Sequence, residues 1–288
     1  MRGPATPDGA QRAVAPMPAQ PARRSEGGKG VISLKTGEGR AIATLSRPPV
    51  NAINEEWLTR LSEIVDAVGA DANVHVLVIR SDLPSFCGGA DLKLMRARFA
   101  SESGRADMVA FVRRIQEVYA RLEALPAVSI AEISGAALGG GLELALSCDL
   151  RVIAHEAKVG LPEVRLGLLP GAGGTQRLTR ICGLAAAKRL ILGGEMVDGK
   201  EAARIGLAHW TVAAAEIAAF TDELAGSLSA LSGPALAHCK HCIEAAVQAS
   251  PEGFEREIAG TAALLADPQT QRRVRAFLES RGSARGKA

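Results

Sequence analysis

The order of secondary-structure elements is set by residues 54–79, which read NEEWLTRLSEIVDAVGADANVHVLVI. Asn54 is a helix-capping residue type, and the apolar residues that follow it, from Trp57 to Val65, recur at helical spacing. An apolar run follows at 74–79, and a run of this kind is typical of a buried strand. The segment therefore predicts a helix that leads into a buried strand.

The flanking segments continue this alternation. Strand patterns precede it at 31–35 and 40–46, separated by a Gly-Glu-Gly turn, and another apolar run follows at 128–133. Alternating strands and helices imply crossover connections and a mainly parallel, largely buried sheet, so the predicted fold class is α/β. After residues 151–154 the strand signal fades, and from Gly173 onward the patterns are helical.

Composition narrows the class of protein. Hydrophobic residues make up 47% of the 288 residues, which is enough for a buried core. The 34 basic side chains nearly balance the 31 acidic ones, so no strong electrostatic field favours binding of nucleic acid or of a membrane surface. Five scattered cysteines do not suggest a disulfide framework, and no apolar run reaches the roughly 18 residues that span a bilayer. We expect a reducing compartment: the cytoplasm, or the mitochondrial matrix in a eukaryote.

Three regions are predicted along the chain. Residues 1–30 are rich in Ala, Pro, Gly and Arg without apolar periodicity, and we interpret them as a disordered leader. Residues 31–215 would form the folded core. Residues 216–288 would form a helical region, with apolar residues such as Leu231 and Ile243 that suit packing between subunits.

Two glycine-rich turns, at 85–93 and 137–144, each lead into a predicted helix. Glycine lets the main chain approach a ligand closely, and the free N–H groups at a helix N-terminus favour an anion. If the two turns face each other, they would form an oxyanion hole. Taken singly, each turn is explained equally well by tight packing of a helix on a sheet.

Two glutamates lie in apolar sequence surroundings: Glu143 in the second turn and Glu163 after Pro162. A carboxylate with apolar neighbours is costly to ionise, so its pKa should rise toward the range that suits proton transfer. Two such groups facing one water would form an acid–base pair. The alternative is that each glutamate caps a helix or pairs with an arginine such as Arg165.

The residues 238–242, His-Cys-Lys-His-Cys, offer potential soft metal ligands. A second pair of ligands downstream is missing, so the spacing does not match a zinc site. We expect no metal and no other cofactor.

Four segments, in order along the chain, resemble the signatures of the crotonase (enoyl-CoA hydratase/isomerase) family: 47–53 (RPPVNAI), 86–93 (FCGGADLK), 139–143 (GGGLE) and 170–175 (PGAGGT). The resemblance covers roughly residues 31–281. It implies a crotonase-like spiral of ββα units, with a helical C-terminal region that trimerises and closes the acyl pocket. Within the family, the sequence is similar to enoyl-CoA and methylglutaconyl-CoA hydratases.

The resemblance also implies roles for individual residues. The backbone N–H groups of Ala90 and Gly140 would form the oxyanion hole for the thioester carbonyl. Glu143 would hold and deprotonate the attacking water, and Glu163 would deliver a proton to the α-carbon.

Coenzyme A would be bound by the same region of the chain. The resemblance places Ala90, Asp91, Leu92 and Lys93 along it, with Lys93 near the phosphates. The family often has Phe-x-x-Lys-Arg near the C-terminus, where this chain reads FLESR, and Arg281 is predicted to supply a phosphate contact.

The predicted activity is hydration of the 2,3 double bond of an enoyl-CoA thioester, a lyase reaction of fatty acid metabolism, by a homotrimer or a hexamer built as a dimer of trimers. The alternative within the family is a double-bond isomerase, which needs only the glutamate at position 163. The alternative of another class is a non-catalytic binding protein with basic tails, since arginine and lysine crowd residues 272–287. No aromatic residues interleave with them to stack on bases, so nucleic acid is not expected.

Overall fold

The computed structural model describes residues 30–99 and 101–247, together with isolated positions between 259 and 272. Residues 1–29 of the predicted leader, and Arg281, lie outside the described residues. The strands are β1 (Ile32–Gly37), β2 (Arg40–Leu45), β3 (Val76–Ser81), β4 (Val128–Ile133), β5 (Ala137–Leu138), β6 (Leu150–Ala154), β7 (Val159–Gly160), β8 (Met196–Val197) and β9 (Trp210–Val212). The helices are α1 (Glu55–Ala70), α2 (Leu92–Phe99), α3 (Glu102–Glu123), α4 (Gly140–Leu146), α5 (Gly174–Leu192), α6 (Gly199–Arg204), α7 (Ile217–Ser229) and α8 (Gly233–Val247), with a 3-10 helix at Pro162–Leu166.

Six strands form the main sheet in the order β1-β2-β3-β4-β6-β9. β1 and β2 pair antiparallel across the Gly-Glu-Gly turn, and every other neighbouring pair in this sheet is parallel. A second sheet has the order β5-β7-β8. The prediction of an α/β fold with a mainly parallel sheet is confirmed.

Helix α1 forms as its sequence predicts. The side chain of Asn54 accepts a hydrogen bond from the backbone N–H of Trp57, so it caps the helix start. Glu55 and Glu56 lie in the first turn, where negative charge is favourable. The helix buries its apolar face, including Leu58 and Leu61, in the core of the molecule.

The predicted helical part of the chain begins at α5 and continues through α8, interrupted by the short strands β8 and β9. Gly183 lies at a kink within α5 with a φ of 78°. Leu231 and Ile243 are 47% and 66% exposed in the single chain. Among the described helices, none combines the length and apolar character required to cross a membrane.

The sheet brings the two glycine-rich turns together. The turns follow β3 and β4, which are parallel neighbours, so their carboxyl ends lie at the same edge of the sheet. Two single-residue bridges connect the loops at this edge: Ile53 pairs with Ala90, and Cys87 pairs with Ala137. The loops after β2, β3 and β4 therefore form one continuous structure at the position where ligands bind in open parallel sheets.

Candidate active site

A cavity of about 300 Å³ lies at this edge of the sheet. Four residues that the sequence singles out for chemistry, Ala90, Gly140, Glu143 and Glu163, all line it. They come from the loop after β3, the first turns of α4 and the 3-10 helix. The structure thus gathers into one cavity residues that are up to 73 positions apart in the sequence (163 − 90).

The amide groups of Ala90 and Gly140 are available to a ligand. Ile53 donates its N–H to the carbonyl of Gly89 and accepts from the N–H of Asp91, so this bridge does not use the N–H of Ala90. Gly140 is the first residue of α4, where an N–H has no carbonyl partner within its own helix. Neither amide has a hydrogen-bond acceptor in the described part of the chain. A Cβ built on Gly140 would lie 3.8 Å from the Ala90 nitrogen, so the two amides are close together.

Gly89 allows this approach of one turn to the other. Its φ is 91°, in the left-handed region, and a Cβ at this position would lie 2.8 Å from the carbonyl oxygen of Leu138. Any larger residue would push the two turns apart. The glycines therefore allow both close packing of the two turns and exposure of their backbone N–H groups. The two interpretations of the sequence, tight packing and an oxyanion hole, are thus compatible.

Glu143 lies in the first turn of α4 and is only 2% exposed. Its Oε1 accepts hydrogen bonds from the backbone N–H groups of Ala172 at 2.8 Å and Gly174 at 2.7 Å. Burial raises the pKa of Glu143 to about 7, and the nearby Glu163 carboxylate adds to the increase, while the hydrogen bond from Gly174 opposes it. The carboxyl group can therefore gain or lose a proton near neutral pH.

Glu163 begins the 3-10 helix with Pro162. Burial also raises the pKa of Glu163 above its ordinary value of 4.5. Its Oε2 is buried and has no hydrogen-bond partner among the described residues. A buried carboxyl oxygen without a protein partner is costly, and a catalytic role is one explanation for such an atom. The raised pKa of both glutamates agrees with the expectation from their apolar sequence context.

The walls of the cavity are apolar. They are formed by the side chains of α2 and α3, by the loop that follows the 3-10 helix and by residues of the two turns. The large apolar residues among them are Ile53, Leu92, Met95, Met108, Val112, Ile115, Leu138, Leu166, Leu168 and Leu169. Of the described residues that line the cavity, none carries a positive charge.

The residues predicted to bind coenzyme A lie in different surroundings. Leu92 lines the cavity and Lys93 lies exposed in the first turn of α2. The side chain of Asp91 points to the protein instead: its Oδ2 accepts from Arg47 at 2.9 Å and its Oδ1 caps α2 through the N–H of Lys93. Burial alone would raise the pKa of Asp91, but the hydrogen bonds from Arg47 and the α2 backbone lower it. Asp91 thus fixes the loop that carries Ala90.

Sequence reasoning missed the residues that hold these groups in place. The backbone amides of Ala172 and Gly174 bind Glu143, and the hydroxyl of Tyr119 donates to the carbonyl of Gly140 at 2.9 Å. Arg47 lies within a quoted motif, yet its partner is 44 positions away. The run of glycines at 173–174 is a signal for close approach of the backbone, although it does not say to what.

Comparison with known proteins identifies the family of the chain. A family model described as enoyl-CoA hydratase/isomerase matches residues 35–284. The chain belongs to the enoyl-CoA hydratase/isomerase family, and its fold is the crotonase fold.

Individual relatives are similar over shorter stretches. "Probable enoyl-CoA hydratase" of Bacillus subtilis (strain 168) is 44% identical over 176 residues, which cover 61% of this chain and 67% of the relative. The mitochondrial methylglutaconyl-CoA hydratase of Mus musculus is 48% identical over 158 residues, 54% of this chain. The match spans about half the length of that relative, 49%.

Solved structures match over more of the chain. A crystal structure of an enoyl-CoA hydratase from Bacillus anthracis has a TM-score of 0.81 and 30% identity, and the match covers 87% of this chain and 96% of that one.

Proposed function

We propose that the protein hydrates the 2,3 double bond of an enoyl-CoA thioester. The proposal rests on one cavity that contains two carboxyl groups with raised pKa, of which Glu143 is buried and Glu163 half-buried. The same cavity contains two backbone N–H groups without acceptors in the described chain. The amides supply electrostatic stabilisation, and the carboxyl groups supply general acid–base catalysis.

The reaction would begin with the thioester carbonyl bound to the N–H groups of Ala90 and Gly140. A water molecule bonded to the free oxygen of Glu143 attacks the β-carbon, and Glu143 takes the proton that the water loses. The electrons of the double bond move onto the carbonyl oxygen, where the two amides stabilise the enolate. Glu163 then delivers a proton to the α-carbon and the carbonyl reforms. The sum is addition of one water.

Burial raises the pKa of both glutamates, and the two carboxyl groups differ in their hydrogen bonding. Oε1 of Glu143 is held by two N–H groups, which stabilise the ionised form that a base needs. Oε2 of Glu163 has no partner in the described chain, and this favours the protonated form that an acid needs. The Glu163 carboxylate also contributes to the raised pKa of Glu143, so ionisation of Glu163 disfavours ionisation of Glu143.

The size of the cavity supports a substrate that is only partly enclosed. About 300 Å³ is at the lower end of ligand pockets, so the cavity would hold the acyl group and the thioester. The nucleotide part of coenzyme A would lie outside it, along Leu92 and Lys93, where Lys93 can meet a phosphate.

Assays of glutamine variants test the proposal. Glu143→Gln and Glu163→Gln keep the side-chain shape but remove proton transfer, a contribution of about 10²–10⁴-fold in rate. We expect each variant to lose at least roughly 10²-fold in hydration of a panel of enoyl-CoA thioesters while still binding them, since the amides remain. Glu117→Gln, which changes an exposed carboxylate on α3, is the matched control and should be fully active.

The rival activity gives a different pattern. A double-bond isomerase needs one proton shuttle, so only Glu163→Gln would lose activity, and the assay would show migration of the double bond without uptake of water. Full hydratase activity in either glutamine variant would refute the two-carboxylate mechanism.

A further inference from the structure

Tyr119 is the only tyrosine in the chain, and its side chain is completely buried. Its hydroxyl donates a hydrogen bond of 2.9 Å to the carbonyl oxygen of Gly140. Burial raises the pKa of Tyr119 above its ordinary value of 10, so the hydroxyl keeps its proton and remains a donor. A phenylalanine would supply the same apolar ring without the cost of burying a hydroxyl. The contribution of this hydroxyl therefore lies in its hydrogen bond to Gly140.

Gly140 needs an external restraint on its backbone. It lies in the middle of three consecutive glycines, and glycine has more backbone freedom than any other residue. It has no side chain that could be packed in place. The N–H of Gly140 lies in the peptide plane that it shares with the carbonyl of Gly139, and this carbonyl accepts a hydrogen bond from the N–H of Glu143 at 2.9 Å. The carbonyl of Gly140 belongs to the next peptide plane, which the hydroxyl of Tyr119 holds. Because the planes on both sides of the Gly140 Cα are held, both backbone dihedral angles of Gly140 are restricted, and with them the direction of its N–H.

The position of Tyr119 on α3 connects this restraint to the rest of the cavity. Met108, Val112 and Ile115 line the cavity, and Tyr119 follows them at helical spacing on the same face of α3. The helix that forms one wall of the cavity thus also holds the glycine of the neighbouring turn.

We propose that Tyr119 is a positioning residue: its hydroxyl, through the Gly140 carbonyl, orients the Gly140 N–H toward the thioester oxygen. This proposal rests on the proposed function, because it requires that the N–H of Gly140 binds the carbonyl. Tyr119 itself touches neither the substrate nor the reacting atoms. Its effect should appear in the polarisation of the bound carbonyl and in kcat, and much less in KM.

The test uses Tyr119→Phe in the full-length protein and a saturated acyl-CoA, butanoyl-CoA labelled with ¹³C at the thioester carbon. Isotope-edited infrared spectroscopy then measures the carbonyl stretch of the bound thioester. In the native protein, two well-aimed N–H donors should move this band to lower frequency than in water. In Tyr119→Phe, we expect a smaller shift and a broader band, since the donor samples more orientations.

Kinetics provide a second measurement. Complete loss of one oxyanion-hole donor typically costs about 10²–10³-fold in kcat. A donor that is present but less well aimed should cost less, and we expect a decrease of about tenfold in kcat for Tyr119→Phe, with KM changed less than about twofold. Leu122→Val, which removes one methylene from the buried face of the same helix, is the control for a general loss of stability. It should leave the carbonyl band and kcat unchanged.

The outcomes separate the two proposals. A native protein that binds butanoyl-CoA without any shift of the carbonyl band would refute the oxyanion hole, and with it the proposed function. A native shift that Tyr119→Phe reproduces fully, with kcat within about twofold of native, would refute the role of Tyr119 alone.

A further measurement applies if Tyr119→Phe does not fold. Growth on 3-fluorotyrosine labels this one position, because the chain has no other tyrosine. The ¹⁹F resonance should then move when butanoyl-CoA binds, and a resonance that stays fixed at saturating ligand would count against the proposal.

Discussion

The backbone N–H of Gly174 donates to Oε1 of Glu143 at 2.7 Å, and a Cβ at residue 174 would lie 2.9 Å from the same oxygen. The first turn of α5 thus presses its main chain against a carboxylate on α4. The contact leaves no room for a side chain, so it predicts a sharp effect of the smallest possible substitution.

We expect Gly174→Ala to displace the Glu143 carboxylate and to lower kcat/KM for hydration by about 10-fold or more, because a small misplacement of a catalytic group is costly. Gly37→Ala is the control, since a Cβ at that position meets nothing within 4 Å. Steady-state kinetics of both variants provide the measurement. Equal activity of Gly174→Ala and the native protein would show that Glu143 is not fixed by this contact.

The raised pKa of Glu143 predicts a cost in stability. Its carboxyl titrates near 4.5 in the unfolded chain and near 7 in the folded protein, so between these values the folded state binds more protons than the unfolded state. The free energy of unfolding should therefore fall as the pH rises through this range. We expect Glu143→Gln, which cannot ionise, to be more stable than the native protein by roughly 1–3 kcal/mol at pH 8.

At pH 4, the native carboxyl is protonated in the folded state and mostly protonated in the unfolded chain, so most of this difference between native protein and variant should disappear. Urea unfolding at the two pH values measures it. A stability difference that is the same at both pH values would mean that ionisation of Glu143 is not its cause.

The same pKa predicts the pH dependence of activity. The ionised form of Glu143 is needed as a base, so kcat/KM should fall as the pH decreases through about 7. The apparent value belongs to the coupled pair of Glu143 and Glu163. A pH profile of kcat/KM tests this, and an acidic limb near the ordinary carboxyl value of 4.5 would contradict it.

The apolar walls predict discrimination by charge on the acyl group. A distal carboxylate would enter a cavity that already contains two carboxyl groups and is lined, within the described chain, by no cation. An unpaired buried charge is costly, so we expect kcat/KM for hex-2-enoyl-CoA to exceed that for glutaconyl-CoA by at least about 10²-fold. Met108→Lys would place a cation in the wall and should reduce this ratio. Comparable rates for the two thioesters in the native protein would overturn the prediction.

The oligomeric state remains a prediction. Leu231 and Ile243 are exposed in the single chain, as expected for residues that pack between subunits. Light scattering should show a trimer or a dimer of trimers, and Ile243→Glu should weaken the assembly. A stable and active monomer at micromolar concentration would contradict it.

Local signals in the sequence were sufficient for the main elements. The cap at Asn54 and the periodicity after it predicted α1, and the mainly apolar stretch at 128–133 predicted β4. The short strands β7 and β9 were missed, because two or three residues cannot show a period. They form through pairing with strands that are distant in the sequence.

In the candidate active site, too, some residues have a local signal in the sequence and others depend on contacts between distant segments. Glu143 and Glu163 could be selected because an apolar context around an acid is visible locally, and the family resemblance added Ala90 and Gly140. The contact between Tyr119 and Gly140 could not be predicted, since it depends on how α3 lies against α4. The same holds for the ion pair between Arg47 and Asp91, which joins two loops.

The two candidate oxyanion donors are backbone amides, and this has a consequence for protein engineering. An amide N–H survives every substitution of its own residue except proline. Directed evolution of acyl selectivity could therefore randomise wall positions such as Met95 and Val112 while the two N–H donors that bind the thioester carbonyl are kept unchanged. In a scaffold of this kind, side chains determine which acyl group is bound, and backbone amides determine how its carbonyl is activated.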